Sequence, residues 1–286
     1  MTILNYKIDF AVVLSVRNAN PNGDPLNGNR PRQNYDGHGE ISDVAIKRKI
    51  RNRLQDMGES IFVQSNDRKV DAYDSLRERA AGNTDLDKIM KSKTGSSDEF
   101  AGIACQQWMD VRSFGQVFAF KADKGAGVSV GVRGPVSIHT ATSVEPIDIT
   151  SMQITKSVNS EPGAARGSDT MGMKHRVDFG LYVFYGSINT QLAEKTGFTN
   201  KDAEKIKQSL ISLFENDLSS ARPEGSMEVH NVYWWEHNTK LGQYSSAKVH
   251  RSLVVSAAVE EPKKFEDYTT VLTELEGLKV EIIDGR

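Results

Sequence analysis

The N-terminal part of the chain joins a strand pattern to a long polar loop, and this combination constrains the fold more than any other feature. Apolar side chains recur at every second position: Ile8, Phe10, Val12, Leu14 and Val16. This period predicts a β-strand with one buried face. Residues 18–32 then consist largely of Asn, Gly and Pro, which favour turns and unusual backbone angles. A loop of this length indicates a functional segment or an insertion.

A basic amphipathic helix is predicted directly after this loop. Ser42 is a good N-cap, and Gly58 is expected to end the helix. The apolar stripe between them comprises Ile46, Ile50, Leu54 and Met57. Five of seven consecutive residues in this helix are basic, and Lys47, Arg48 and Arg51 flank the stripe or lie opposite it. We therefore expect a helix that packs by one side and presents cations on the other.

The predicted elements follow the order strand, helix, strands, strand, helix, strand. This order is compatible with an α+β fold of the ferredoxin-like βαββαβ type, which RNA-recognition modules share. The polar segments 59–110 and 140–177 interrupt the order and are predicted to be insertions, the first of them helical. The second has the composition of an extended β-hairpin with a loose tip at 161–168.

Charge and composition narrow the class of protein without identifying it. The 286 residues include 36 Lys and Arg against 38 Asp and Glu, a formal net charge of −2. This balance excludes a strongly basic nucleic-acid-binding protein but leaves a local basic surface open. No run of 18 apolar residues is present, and the single cysteine excludes an internal disulfide. We therefore expect a cytoplasmic protein that binds no membrane.

Three groups of residues are candidate contacts for nucleic acid. The first surrounds the polar loop and the basic helix and comprises Arg17, Arg30, Lys47, Arg48 and Arg51. The second comprises Arg112 and Arg133 at strand ends, and the third comprises Met171, Met173, Lys174, His175 and Arg176. Cations bind phosphates, and apolar side chains can insert between bases. The alternatives are a solvated helix face and a buried methionine pair in a hairpin.

Patterns of catalytic and metal sites are weak in this sequence. The six histidines form no His-x-x-x-His pair, which argues against a zinc site. Asn20, Asn22 and Asp24 alternate as in a calcium loop, but proline stands where that loop needs glycine. We therefore expect neither a cofactor nor a bound metal. Asp24 and Asp36 remain candidate acids, with a role in turns as the alternative.

Four blocks of sequence, taken in order, resemble the Cas seven family, the CRISPR-associated backbone subunits of type I Cascade. The blocks are residues 17–25 (RNANPNGDP), 37–51 (GHGEISDVAIKRKIR), 110–115 (DVRSFG) and 131–136 (GVRGPV). Within the family the sequence is most similar to the type I-C subunit, followed by the type I-B subunit.

The resemblance implies a hand-shaped protein with an RNA-recognition-like palm. The palm comprises residues 1–58, 111–139 and 178–286, the finger comprises 59–110, and a β-hairpin thumb comprises 140–177. Copies of such a subunit stack head to tail along one guide RNA, and each thumb displaces a base from the strand held by its neighbour. The implied partners are the guide (crRNA), target DNA paired to it, further copies of this chain and other Cascade subunits.

The resemblance also assigns roles to particular residues and leaves alternatives. Guide contacts fall on the loop after the first strand and on the basic helix, which here means Arg17, Asn18, Asn20, Asn22, Lys47, Arg48 and Arg51. The thumb residues that wedge between bases correspond to Met171 and Met173. Type III relatives cut RNA with a loop acid, so a metal-dependent ribonuclease using Asp24 or Asp36 is the alternative to a non-catalytic subunit. A stand-alone RNA-recognition protein is the third hypothesis.

Overall fold

The computed structural model describes residues 2–92, 96–120, 128–156 and 171–286. The predicted hairpin tip at 161–168 and part of the predicted finger, 93–95, lie outside the described residues. Within the described ranges, no helix has the length and apolar character that a membrane span requires.

Strands and helices occur in consecutive groups along the described chain. The strands are β1 (Ile8–Ala19), β2 (Gly23–Asp24), β3 (Arg30–Pro31), β4 (His38–Ile41), β5 (Gly115–Phe120), β6 (Val128–Arg133), β7 (Val136–Ile138), β8 (Ala141–Pro146), β9 (Ile149–Thr155), β10 (Met171–Ile188), β11 (Met227–Glu236), β12 (Leu253–Ala257), β13 (Tyr268–Leu272) and β14 (Val280–Asp284). The α-helices are α1 (Asp43–Asp56), α2 (Leu76–Ala81), α3 (Thr84–Lys91), α4 (Ser97–Gln107), α5 (Met109–Phe114), α6 (Thr190–Thr196), α7 (Asn200–Ile211) and α8 (Ser246–His250). Short 3-10 helices lie at Pro25–Asn27, Asn66–Arg68 and Phe265–Asp267.

One large antiparallel sheet organises these elements. Its strand order is β14-β11-β1-β10-β8-β4, and β7 and β9 pair with further parts of β10. The long strand β10 pairs with β1 on one side and with β9, β8 and β7 in succession on the other. The fold therefore mixes helices with a mainly antiparallel sheet, in agreement with the predicted α+β class.

β1 is buried on both of its faces. Phe10 and Leu14 pack with α1 and α7 in the main hydrophobic cluster of the protein. Ala11 and Val13 pack on the opposite face against the C-terminal part of the chain, including Leu253. The prediction of a single buried face is wrong because the C-terminal segment covers the second face, which local alternation does not reveal.

The basic helix α1 begins and ends as the sequence predicts. The Ser42 hydroxyl accepts a hydrogen bond from the backbone N–H of Ala45 at 3.3 Å, which caps the N-terminus. Gly58 adopts a φ of 86°, a left-handed conformation that glycine tolerates best and that ends the helix. Ile46 and Ile50 are buried, as the apolar stripe requires.

A second hydrophobic cluster forms beside the main one. It comprises Phe62, Ala80, Leu86, Phe100, Ala104, Cys105, Trp108, Val111, Phe118 and Val130. Helices α2–α5 supply most of it, and the hairpin of β5 and β6 supplies Phe118 and Val130. This hairpin belongs to the predicted palm segment 111–139, yet it packs with the helices of the predicted finger. The domain boundaries themselves stay a prediction.

β9 and the first part of β10 form a hairpin that extends past the end of β1. Met171 pairs with Thr155 at one end of this hairpin. The final pair between β10 and β1 joins Val177 to Ala19, so residues 171–176 of β10 lie beyond the neighbouring strand. The hairpin falls within the predicted insertion 140–177.

Two segments near the C-terminus differ from what their sequence patterns favour. Residues 249–259 have the composition of a strand, but the segment begins as helix α8, because the Ser245 side chain caps its N-terminus, and becomes strand only in β12. Residues 200–216 have an amphipathic helical pattern, but the helix ends at Ile211, although Leu213 still packs in the main cluster.

Candidate nucleic-acid interface

The Asn-rich loop after β1 is held in shape by its own amide side chains. Asn20 is buried, and its Nδ2 donates to the carbonyl oxygen of Asn29 at 2.7 Å. The Asn22 Oδ1 accepts from the backbone N–H of Ser42 at 2.9 Å, which ties the loop to the start of α1. Asn18, by contrast, is exposed. Asn20 and Asn22 therefore stabilise the loop, and Asn18 is the predicted amide contact that faces solvent.

All five cations in the basic run of α1 have bonded partners within the protein; Lys47 pairs within the helix, and the other four bond to residues outside it. These residues are Lys47, Arg48, Lys49, Arg51 and Arg53. Their partners, in the same order, are Asp43, the carbonyl oxygen of Val63, Asp217, Asp110 and Glu215. The prediction that this helix presents Arg48 and Arg51 to solvent is wrong. Arg48 bonds to Val63 and Arg51 bonds to Asp110. Both partners lie outside the helix, so a helical wheel of α1 cannot include them.

Arg51 shows how these bonds join α1 to the second cluster. Its Nε donates to Asp110 Oδ2 at 3.0 Å, and its guanidinium lies 5.0 Å from the centre of the Phe114 ring. Asp110 is fully buried and also accepts the backbone N–H groups of Phe62 at 2.7 Å and Val63 at 3.1 Å. Burying a carboxylate costs free energy unless hydrogen bonds replace those it made to water, and these three donors supply them. Arg51 therefore joins two cores, and its binding to RNA stays a prediction.

Arg112 also forms an ion pair with a buried acid, whereas Arg133 does not. The Arg112 guanidinium donates to both carboxylate oxygens of Asp202, at 2.8 and 3.1 Å, and so links α5 to α7. Burial by itself raises the pKa of Asp202, but the hydrogen bonds and charge of Arg112, together with the Thr199 bonds, lower it below the ordinary value. Arg133 is exposed and forms no ion pair within the described part of the chain.

The hairpin of β9 and β10 exposes apolar side chains on both faces. Directly paired residues share a face, so Met171 and Met173 lie on one face. Ile154 and Met152 lie on the other. The exposed fractions of Met171 and Met173 are 52% and 55%, which excludes the alternative of a buried methionine pair. Met152 and Ile154 were missed from sequence, although they lie two residues apart in an alternating run.

Two predicted cations meet at the base of this hairpin. Arg30 Nη1 donates to the Ser151 hydroxyl oxygen at 3.0 Å, and His175 Nδ1 lies 2.8 Å from the same oxygen. Lys174 lies on the other face of the hairpin, which it shares with Met152 and Ile154. It is exposed and has no bonded partner among the described residues. Arg176 pairs with Asp178 at 3.4 Å. The tertiary structure thus brings the loop after β1 and the hairpin into one cationic surface.

Arg17 lies on the exposed end of β1. Its guanidinium lies 5.2 Å from the centre of the Phe179 ring on β10 and donates to the Lys263 carbonyl oxygen at 2.7 Å. Phe179 is therefore partly covered, as expected for a strand residue that packs.

Two exposed apolar residues in the loop were missed from sequence. Tyr35 and Leu26 are 104% and 97% exposed. The turn that carries Tyr35 is rigid, because Asn34 Oδ1 accepts the backbone N–H groups of Asp36 at 3.0 Å and His38 at 2.9 Å. An aromatic residue within an Asn- and Gly-rich loop was the signal available in the sequence.

Both candidate acids, Asp24 and Asp36, lie in turns formed by nearby residues. The Asp24 side chain caps the 3-10 helix at Leu26 and lies 3.5 Å from Arg32. Asp36 is exposed on the Asn34 turn. Among the residues that the structure describes, no group of three or more His, Cys, Asp or Glu side chains could hold a metal ion.

A family model and a related protein both point to one family. A family model described as "CRISPR-associated protein Cas7" matches residues 6–273. CRISPR-associated protein Cas7 of Haloferax volcanii is 26% identical over 234 residues, which cover 77% of this chain and 67% of that protein. A chain of a solved "CRISPR RNA-guided surveillance complex, pre-nicking" is 15% identical with a TM-score of 0.48, covering 80% of this chain and 78% of that one. A second, from a "CRISPR RNA-guided surveillance complex", is 15% identical with a TM-score of 0.42, covering 80% and 68%. Because the family model spans nearly all of its length, this chain belongs to the Cas7 family of CRISPR-associated proteins.

Proposed function

We propose that this chain is a non-catalytic backbone subunit that polymerises along the spacer of a guide RNA in a type I Cascade surveillance complex. Within the complex it presents guide bases for pairing with target DNA. Its strand order supports a ferredoxin-like palm, since β11, β1, β10 and β8 follow the 4-1-3-2 order of that fold and α1 and α7 pack on one face. The subtype I-C assignment rests on the motif resemblance alone.

The surface around the β9–β10 hairpin carries this proposal. Met171 and Met173 each expose about half of their side chains, and Lys174 has no acidic partner among the described residues. Arg30 and His175 lie at the base of the same hairpin. Cations that hold phosphates and apolar side chains that wedge between bases grip a strand without reading its sequence. A guide-binding subunit needs this property, because base pairing alone must read the target.

The loop after β1 extends this surface. Tyr35 offers both faces of its ring on a rigid turn, and Leu26, earlier in the chain, is 97% exposed. An aromatic ring held in this way can stack on a base of any identity, at about 1–3 kcal/mol per base. We therefore add Tyr35 to Arg17, Asn18 and Arg30 as a guide contact.

Polymerisation fits the charge of the chain. A head-to-tail contact that does not close on itself generates a helical filament. Many copies must then lie side by side, and a net charge of −2 avoids the repulsion that a strongly basic subunit would suffer. In this arrangement the hairpin of one copy crosses the strand held by the next copy and displaces a base at regular intervals.

Co-expression with a processed CRISPR transcript tests the proposal. The purified particle is expected to contain several copies of the chain and one protected RNA, as measured by native mass spectrometry. Lys174→Ala should lower the slope of log affinity against log salt by about 1, because one phosphate contact is lost. The control Lys201→Ala removes an exposed charge from α7 and should leave the slope unchanged. A monomer without nucleotide would contradict the proposal.

The same particle separates a binding subunit from a ribonuclease. Complementary RNA is added with magnesium, and the products are sized. Intact RNA is expected. Regularly spaced cuts that disappear in Asp24→Ala or Asp36→Ala would replace the proposal with the ribonuclease hypothesis.

A further inference from the structure

An open cleft of about 690 Å³ lies far from the hairpin surface, on the opposite side of the sheet from α1 and α7. Strands β8 and β10 and the turn before β8 form one wall, and the end of α8 together with β12 forms the other. The residues used below are His139, Tyr185, His250, Arg251 and Val254. The volume lies within the range of small-ligand sites in proteins.

The charges of this cleft favour an anion. Arg251 is exposed and has no ion-pair partner in the described ranges of the chain. His139 is also exposed and contributes no side-chain hydrogen bond there. None of the described residues that line the cleft is Asp or Glu, although the chain contains 38 acidic residues. An anionic group would therefore meet a free guanidinium and no repelling carboxylate.

The walls of the cleft favour a flat ring beside that anion. Tyr185 stacks on His250 with ring centres 4.9 Å apart, and His139 meets His250 edge to face at 5.4 Å. Val183 and Val255 add apolar surface. A nucleobase can stack on such rings and contact such apolar walls, whereas a bare inorganic anion gains nothing from them.

A buried network behind the cleft fixes the imidazole of His250. Its Nε2 lies 3.1 Å from the Gly186 carbonyl oxygen and 3.6 Å from Asp9 Oδ1. Asp9 has no exposed surface and is bonded through Oδ2 to His237 and Lys7, each at 2.9 Å. The position of the ring is therefore set before a ligand arrives, which reduces the entropy lost on binding.

We propose that this cleft binds one nucleotide, with its phosphate on Arg251 and His139 and its base against the Tyr185–His250 pair and the valine wall. The site goes beyond the guide-binding surface proposed above. Ten residues of β10 separate His175 in the hairpin from Tyr185 in the cleft, a distance of about 33 Å along an extended strand. The two surfaces can therefore be tested separately.

The test uses the full chain freed of nucleic acid in high salt and then returned to low salt. AMP, adenosine, inorganic phosphate and fluorescein-labelled U10 are titrated in turn. AMP is expected to saturate the cleft at least tenfold more tightly than adenosine or phosphate, since it supplies both base and anion. If U10 competes with AMP, the natural occupant of the cleft is a nucleotide within an RNA strand. If AMP binds and U10 does not compete, the occupant is a free nucleotide.

Two variants locate the site, and two others serve as controls. Arg251→Ala and Val254→Glu should each weaken AMP binding at least fivefold, the first by removing a cation and the second by adding an anion. Both positions are exposed, so folding should be retained, as circular dichroism checks. Lys201→Ala and Lys174→Ala should leave AMP binding unchanged. Equal binding by wild type and Arg251→Ala, or saturation by an acidic peptide but not by AMP, would overturn the proposal without affecting the guide-binding surface.

Discussion

Helix α1 and the β9–β10 hairpin both carry cations, yet the structure uses them in opposite ways. In α1 all five cations of the basic run bond to internal acids or to a carbonyl oxygen. On the hairpin, Lys174 faces solvent opposite the exposed Met152, its paired residue on β9. The same residue types therefore stabilise the protein in one region and form a surface for a partner in the other.

This difference teaches that the partners of a cation, and not its charge alone, decide its role. A basic run in sequence indicates phosphate binding only where no acid of the fold approaches it. Asp110 and Asp217 approach α1 from distant segments, whereas the acids nearest the described part of the hairpin, Asp148 and Asp178, both lie at its base. The following predictions test this contrast, beginning with the largest expected effect.

Removing the Asp110 carboxylate should produce the largest loss of stability. In Asp110→Ala, Arg51 and the backbone N–H groups of Phe62 and Val63 lose their acceptor in a buried site. We expect the free energy of unfolding to fall by about 3–5 kcal/mol, measured by urea denaturation. Asp36→Ala, at an exposed position, is the control and should change it by less than about 0.5 kcal/mol. Equal stability of the two variants would break the contrast.

Arg51→Ala should have a smaller effect of the same kind. Asp110 keeps its two backbone donors in this variant, so we expect a loss of about 1.5–3 kcal/mol, the range for a hydrogen bond to a charged group. The salt slope of RNA binding by the folded protein should stay unchanged. A slope reduced by about 1, with stability unaffected, would instead assign Arg51 to the guide, as the family resemblance implies.

The hairpin should show the reverse behaviour. Met171→Ser combined with Met173→Ser should leave the free energy of unfolding within about 0.5 kcal/mol, because both side chains are more than half exposed. Guide affinity should fall about tenfold, or about 1.4 kcal/mol, since apolar contacts with bases are lost. Val70→Ser changes an equally exposed apolar residue elsewhere and should alter neither quantity. Unaltered affinity in the double variant would remove the hairpin from the interface.

Lowering the pH should destabilise the protein through the buried network of His250 and Asp9. Burial lowers the pKa of His250. Burial by itself raises the pKa of Asp9, but hydrogen bonds from His237, Ser246 and Lys7 outweigh it and lower the pKa. Both groups bind protons less readily when folded, so their stabilisation is complete above the unfolded pKa values and is lost as the pH falls through the folded ones.

The urea midpoint is therefore expected to fall between pH 7 and pH 5, and further at lower pH as Asp9 becomes protonated. His250→Gln should flatten the first part of this dependence, with His230, whose pKa burial also lowers, supplying the remainder. Val70→Ser, which changes an exposed residue without a titratable group, should preserve the wild-type dependence. A profile in which Val70→Ser and His250→Gln behave alike would contradict the assignment of this pH dependence to the buried network.

Much of the local structure could be predicted from sequence. The alternation in β1, the N-cap Ser42 and the terminating Gly58 depend on interactions within a few residues, so each element was recognisable. The hairpin at 140–177 was recognisable from composition, and its methionines were candidate contacts before their exposure was known. The family likewise followed from ordered local motifs.

The candidate site was only partly predictable, because residues far apart in sequence meet there. Arg30 and His175 share the Ser151 hydroxyl, and no local pattern connects these three positions. Tyr35 was overlooked because exposure depends on the whole fold. The same reason explains the error about Arg48 and Arg51.

The sequence by itself determined which segments become strand, helix or loop, and it carried the motifs of the Cas7 family. The tertiary structure alone decided which cations are neutralised inside the protein and which remain free for a polyanion. The physical reason is that hydrogen bonding and backbone preference act over a few residues, whereas ion pairing and burial depend on contacts between segments that only the folded chain brings together.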